Sequence, residues 1–166
     1  MKIYTKKGDA GETDLLSKRV KKDDLRIEVN GTIDEVMATI LLAKQVIEDQ
    51  TTLADLDHIH YVLYQMAYEI ALASPNRYQT TDEHVTWLEQ QIDQFDQQLE
   101  KLTKFIQLDQ NPAQAWLNLC RVKTRTAERI LVALHHLEPL NPLTLQFMNR
   151  LSDYFFTLGR MFEKGR

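Results

Sequence analysis

Apolar residues recur every three or four positions through most of this chain, the spacing of one buried face on an α-helix. Leu53, Leu56, His60, Leu63, Ala67 and Ile70 fall on one stripe. Val85, Leu88, Ile92, Phe95, Leu99 and Leu102 form a second at near-heptad spacing, and Leu145, Met148, Leu151, Phe155, Leu158 and Phe162 a third. Punctuation divides these stripes. Asn111-Pro112 and Asn141-Pro142 each read as a helix start, with Asn capping and Pro at the first helical position. Glu138-Pro139 closes the helix before the second start, and Ser74-Pro75-Asn76 breaks the middle of the chain. Thr32 followed by Glu35 reads as a capping box, and Thr80 followed by Glu83 as another. The pattern predicts helices over 32–49, 52–73, 81–103, 112–137 and 142–163. Short connections make an all-α, five-helix up-and-down bundle the expected architecture. Residues 1–31 lack helical period and form an irregular lead-in, with a short strand expected at Ile3-Tyr4.

At 166 residues, one domain spanning the chain is the simplest organisation. A net charge of -4 argues against a nucleic-acid binder with a broad basic surface. No apolar run reaches the length of a membrane span and no secretory leader is evident, so a cytoplasmic protein is expected. Cys120 is the only cysteine, which excludes an intrachain disulfide and a thiolate zinc cluster. The histidine spacing offers no metal site, and the absence of Glu-x-x-His weighs against a di-iron bundle. Ser152 lacks a His/Asp arrangement for nucleophilic hydrolysis.

Four polar clusters hold candidate chemistry. Thr5-Lys6-Lys7-Gly8-Asp9-Ala10-Gly11-Glu12-Thr13 is rich in glycine, lysine and threonine. It reads either as a polar lead-in or as a loop that wraps N–H and ammonium groups around phosphate. Arg121, Arg125, Glu128 and Arg129 share a face of the fourth helix, as a solvated surface or as guanidinium forks for an anion. Asn149, Ser152, Asp153 and Phe156 share a face of the fifth, where poor helix formers cluster for a hydrogen-bond network or for function. Asp34 and Glu35 follow Gly31, either to cap a helix or to pair with an arginine.

Taken in order, Tyr4 to Thr13, Arg26 with Gly31-Thr32-Ile33-Asp34-Glu35, Arg121 to Arg129, and Asn149-Arg150-Leu151-Ser152-Asp153-Tyr154 resemble the PduO-type ATP:cob(I)alamin adenosyltransferases over nearly the whole chain. The resemblance implies a homotrimer with active sites between subunits. It implies transfer of the 5′-deoxyadenosyl group of ATP to cobalt of reduced cobalamin, with release of triphosphate. Thr5, Lys6, Gly8, Asp9, Gly11 and Thr13 would wrap the phosphates and their Mg2+, with Arg19 or Lys22 assisting. Arg125, Glu128 and Asn149 of a neighbouring subunit would complete the nucleotide site, and Arg121 would pair with Asp34 across the interface. Phe105 would face cobalamin and displace its lower axial base, and a reductase partner would supply electrons. Cobalt(I) is itself the nucleophile, which accords with the missing triad. Two positions and one segment depart from the family pattern. Met37 stands where Asn is usual, Asn118 where His is usual, and Phe105-Ile106-Gln107-Leu108-Asp109-Gln110 replaces Phe-Ile-Leu-Pro-Gly-Gly. They leave a second expectation open: a diverged, non-catalytic ATP-binding relative acting as a nucleotide-responsive interaction protein.

Overall fold

The computed structural model describes residues 2–74 and 77–163. Its helices are α1 (Leu25–Lys44), α2 (Gln50–Leu72), α3 (Asp82–Asp96), α4 (Pro112–Leu137) and α5 (Pro142–Met161). A small hairpin precedes them: β1 (Glu12–Asp14) pairs antiparallel with β2 (Arg19–Lys21), with Thr13 opposite Val20. Ile3-Tyr4 is not a strand; the first pairing lies at Glu12. Of the predicted mid-chain break, Pro75 and Asn76 lie outside the described residues.

Side-chain caps fix most helix starts. The carboxylate of Asp49 accepts from Thr52 N–H at 2.7 Å. Asn111 accepts from Gln114 N–H at 3.0 Å and Asn141 from Leu143 N–H at 3.1 Å, each followed by proline as expected. The start of α1 differs from expectation. Asp24 caps it, accepting from Arg26 N–H at 2.9 Å, so the irregular segment ends before residue 25 rather than at 31. Thr32 lies inside the helix and donates its hydroxyl to the carbonyls of Glu28 and Val29. The capping-box pattern there is overridden by burial of Val29, Ile33, Val36 and Ile40, whose period runs through Gly31. Helix α3 stops at Asp96, short of 103. Its last turn carries Asp93 and Asp96 and no base, so it opposes the helix dipole. Beyond it, Leu99 is buried outside any helix and Leu102 is exposed.

The chain alternates direction from helix to helix. Helix α1 packs between α2 and α4, α4 against α5, and α5 against α3. His58 of α2 meets Trp87 of α3 edge-on, with centroids 4.6 Å apart. Ile33, Leu63, Leu88, Leu117, Phe147 and Phe155 are among the fully buried side chains at the centre. At one end of the bundle, buried Arg26 donates to the carbonyl of Ile70 at 2.8 Å and pairs with Glu138 at 2.7 Å. Beside it, buried Glu69 accepts from the N–H groups of Gln79 and Thr80 and from the hydroxyl of Thr144. That carboxylate joins α2, the lead-in to α3, and α5.

Thr81 caps α3 in a capping box with His84, not with Glu83; Nδ1 of His84 accepts the Thr81 N–H at 3.2 Å. An accepting Nδ1 is unprotonated. Burial and the nearby His58 of α2 lower the His84 pKa, with Glu83 opposing. The unfolded chain then binds the proton more readily. The resulting stability is present above the ordinary histidine value, about 6.5, and is lost as pH falls toward the lower folded value. His84→Gln keeps the acceptor without the titration. Thermal unfolding between about pH 7.5 and about pH 5 is expected to show a smaller loss of Tm in His84→Gln than in the parent; equal losses would exclude this role.

Candidate active site

On α4, buried Leu117, Cys120, Thr124, Ala127 and Leu131 face the core. One residue on from each, about 100° around the helix, come Asn118, Arg121, Arg125, Glu128 and Val132. The same offset on α5 puts Asn149, Asp153 and Phe156 beside buried Met148, Ser152 and Phe155. These two stripes form the walls of a groove between α4 and α5. Ser152 is not part of it: it is buried and donates to the carbonyl of Asn149 at 3.0 Å.

Midway along the groove, Arg125, Glu128, Arg129, Val132 and Asn149 line an open depression of about 410 Å³. Asn149 donates to Glu128 at 3.0 Å and accepts from Arg150 at 2.8 Å; Arg150 in turn pairs with Glu89 of α3 at 2.9 Å. This chain orients the amide and carboxylate. Among the described residues no hydrogen bond or ion pair holds the guanidinium of Arg125, which leaves its fork available. Partial desolvation raises the Asp153 carboxyl above the usual range, against the pull of Arg150 and Arg125 and with the push of Glu128.

Further along the same groove, Phe105, Leu108, Asp109, Asn118, Arg121 and Phe156 help line a second pocket of about 310 Å³. Arg121 donates from Nε to Asn118 at 3.0 Å. Phe105 stands 93% exposed at the mouth. Within the chain Arg121 does not pair with Asp34, which is exposed on α1 and has no ion-pair partner among the described residues. Glu35 pairs instead with Lys123 of α4 at 2.6 Å.

The N-terminal loop lies on another side of the molecule. Asp14, Leu15 and Leu16 border a depression shared with Ile27 and Asn30 of α1 and Tyr64 and Tyr68 of α2. Lys6 and Gly11 both adopt positive φ, 61° and 82°, which turns the chain sharply twice. Gly8 admits no side chain without displacement: a Cβ there would sit 3.2 Å from Lys22 Nζ and 3.3 Å from the Glu12 carbonyl. The exposed loop presents Thr5, Lys6 and Asp9 outward, while Thr13 is half-buried in β1. Arg19 braces this loop. Its guanidinium binds Asp14 at 2.7 Å, Glu12 at 3.0 Å and the Lys7 carbonyl at 2.5 Å. The hairpin and the brace were not predicted, because strands of three residues show too little alternation.

The family model for cobalamin adenosyltransferase matches residues 3–162. A corrinoid adenosyltransferase of Bacillus subtilis is 38% identical over 97% of this chain and 86% of its own length. The Homo sapiens corrinoid adenosyltransferase is 33% identical, covering 96% of this chain and 68% of its own length. Among solved structures, a variant PduO-type ATP:corrinoid adenosyltransferase from Lactobacillus reuteri complexed with cobalamin and ATP superposes with a TM-score of 0.88 at 31% identity, over 96% of this chain and 92% of that one. Sequence and architecture agree along the same span, and the chain belongs to the cobalamin adenosyltransferase family.

Proposed function

We propose that this protein transfers the 5′-deoxyadenosyl group of ATP to the cobalt of cob(I)alamin, releasing triphosphate, and does so as a cytoplasmic homotrimer of one-domain chains. One observation carries the reading. The loop at residues 5–13 is largely exposed and leads into a hairpin seated by α1 and α2, whereas the open depression at Arg125, Glu128 and Asn149 lies between α4 and α5, so the two candidate half-sites are apart within one chain. A head-to-tail ring of subunits brings one loop against the next groove. In that arrangement Asp34 of one subunit meets Arg121 of another, giving each charge the partner it lacks alone.

The electron pair of cobalt(I) forms the Co–C bond to carbon 5′, while the bond from that carbon to the triphosphate oxygen breaks. No protein nucleophile or base takes part; the protein orients and stabilises. Lys6, Lys22 and the backbone N–H of the turn at Gly8 bind the phosphates, while the Gly11 N–H closes that turn on the Gly8 carbonyl at 3.1 Å. Arg125 faces the charge that grows on the leaving group. Glu128 and Asn149, held by their mutual hydrogen bond, orient the nucleoside. Arg19 acts here mainly by holding the loop in shape. The loop oxygens of Thr5 and Asp9 are hard donors of the kind Mg2+ takes, and that ion would arrive on the triphosphate and spread its charge. Phe105 occupies the place of the lower axial ligand. Loss of that ligand eases reduction of cobalt(II), for which a reductase supplies the electron. Cys120 is buried with its thiol pushed up to about 12, which makes it an unreactive packing group outside this chemistry.

The departures at 107–110 do not close the corrinoid side, since the pocket behind Phe105 remains open. This favours the enzyme over a non-catalytic nucleotide binder. The test is anaerobic: protein, Mg-ATP, cobalamin and a strong reductant, followed by absorbance of the Co–C product and by triphosphate release. Stoichiometric appearance of both is expected, from a species sedimenting as a trimer. ATP binding without Co–C product would favour the non-catalytic reading.

A further inference from the structure

Among the described residues Phe105 makes no aromatic ring contact, and it is almost fully exposed, so its place over the pocket is inherited from the flanking chain. That flanking chain has lost the family's Pro-Gly-Gly, and the structure shows what anchors it instead. Leu108 is 4% exposed and lies against Gly159 of α5. A Cβ at residue 159 would sit 3.1 Å from Leu108 Cδ1, closer than ordinary contact. Fully buried Gln114 donates to the Gly159 carbonyl at 3.1 Å and accepts from Gln110 N–H at 2.9 Å. Buried Arg160 donates to the Glu100 carbonyl at 2.6 Å, and Asn111 donates to the Phe162 carbonyl at 2.7 Å. The segment is thus pinned on both sides of Phe105 to the end of α5.

We propose that Gly159 is a positioning residue for the corrinoid half of the reaction: its missing side chain seats Leu108, and that seat, locked by Gln114, sets how far Phe105 reaches into the pocket. The inference rests on the function proposed above. The lock also explains how the chain does without Pro-Gly-Gly. A stiff turn with close backbone approach is replaced by a buried leucine on a bare stretch of helix.

The test is Gly159→Ala. Alanine favours the helix and crowding of buried Leu108 opposes it, so only a small shift of Tm is expected. The new methyl forces Leu108 outward by a few tenths of an ångström. Passed on to Phe105, a displacement of that size is expected to lower kcat/KM for cobalamin by about tenfold, with the KM for ATP unchanged. Adding Leu108→Val, which shortens the opposing side chain, is expected to restore most of the loss. In the presence of ATP, the fraction of cobalt(II) corrinoid lacking its lower ligand, read by electron paramagnetic resonance, should fall in Gly159→Ala and recover in the double variant. Unchanged cobalamin kinetics in Gly159→Ala, or equal loss for ATP and cobalamin, would overturn the proposal. A parent protein that forms no Co–C product would overturn the functional reading itself. An active parent with an unaffected Gly159→Ala variant overturns only the positioning role.

Discussion

Arg125→Ala is expected to lower kcat/KM for ATP by about 30- to 150-fold while leaving Tm and the proposed trimeric assembly unchanged. The first part follows from what the guanidinium does. It is exposed on α4, unheld by any hydrogen bond among the described residues, and placed beside Glu128 and Asn149. Charge-assisted bonds to a phosphate are worth about 2–3 kcal/mol, and each 1.4 kcal/mol is about a factor of ten in rate. The second part follows from the same exposure, because surface substitutions away from packed features stay within about 0.5 kcal/mol. Arg125→Lys keeps the charge and loses the fork, so an intermediate effect is expected. The measurement is steady-state turnover with ATP varied at saturating cobalamin, beside sedimentation and thermal unfolding. Wild-type ATP kinetics in Arg125→Ala would remove this residue from the site and undermine the groove as the nucleotide half.

Local chemistry explains which features were legible in the sequence. The starts of α4 and α5 were readable to the residue because Asn and Pro act on adjacent N–H groups. The groove was largely readable too, since Arg121, Arg125 and Glu128 repeat at helical spacing one step from a buried stripe. The start of α1 was misread because two local cues, Gly31 and a Thr-x-x-Glu pattern, argued for a boundary. The burial of Val29 and Ile33 outweighed both. The tail of α3 was misread in the opposite sense: Leu99 continued the apolar period, but acidic residues in the last turn ended the helix and Arg160 drew the chain onto α5. What lay beyond reach were pairings between distant segments. Nothing near Glu69 in sequence announces Thr144, and nothing near Leu108 announces Gly159. Arg19 illustrates a further limit. Its residue type suggested a phosphate contact, and nothing near it in sequence announced the three acceptors by which it also braces the loop.

Phe105→Ala is expected to separate the two halves of the reaction most sharply. The ring is 93% exposed, so its removal should cost little stability and leave ATP binding intact. Leu108→Ala provides the contrast: truncating a buried leucine costs about 2–5 kcal/mol and should lower Tm. If the Phe105 ring contributes the roughly 1.5–3 kcal/mol of a buried aromatic side chain to excluding the lower axial ligand, its loss should lower cobalamin turnover by about 10- to 150-fold. Cob(II)alamin mixed with the variant and ATP should retain its lower ligand, visible in the absorption and paramagnetic resonance spectra. Chemically prereduced cob(I)alamin carries no lower ligand to displace, so supplying it directly should recover much of the lost rate. A variant that is equally slow with prereduced substrate would show instead that the ring acts on transfer itself, by orienting the corrin against carbon 5′. That split between reduction and transfer decides which step the exposed ring serves.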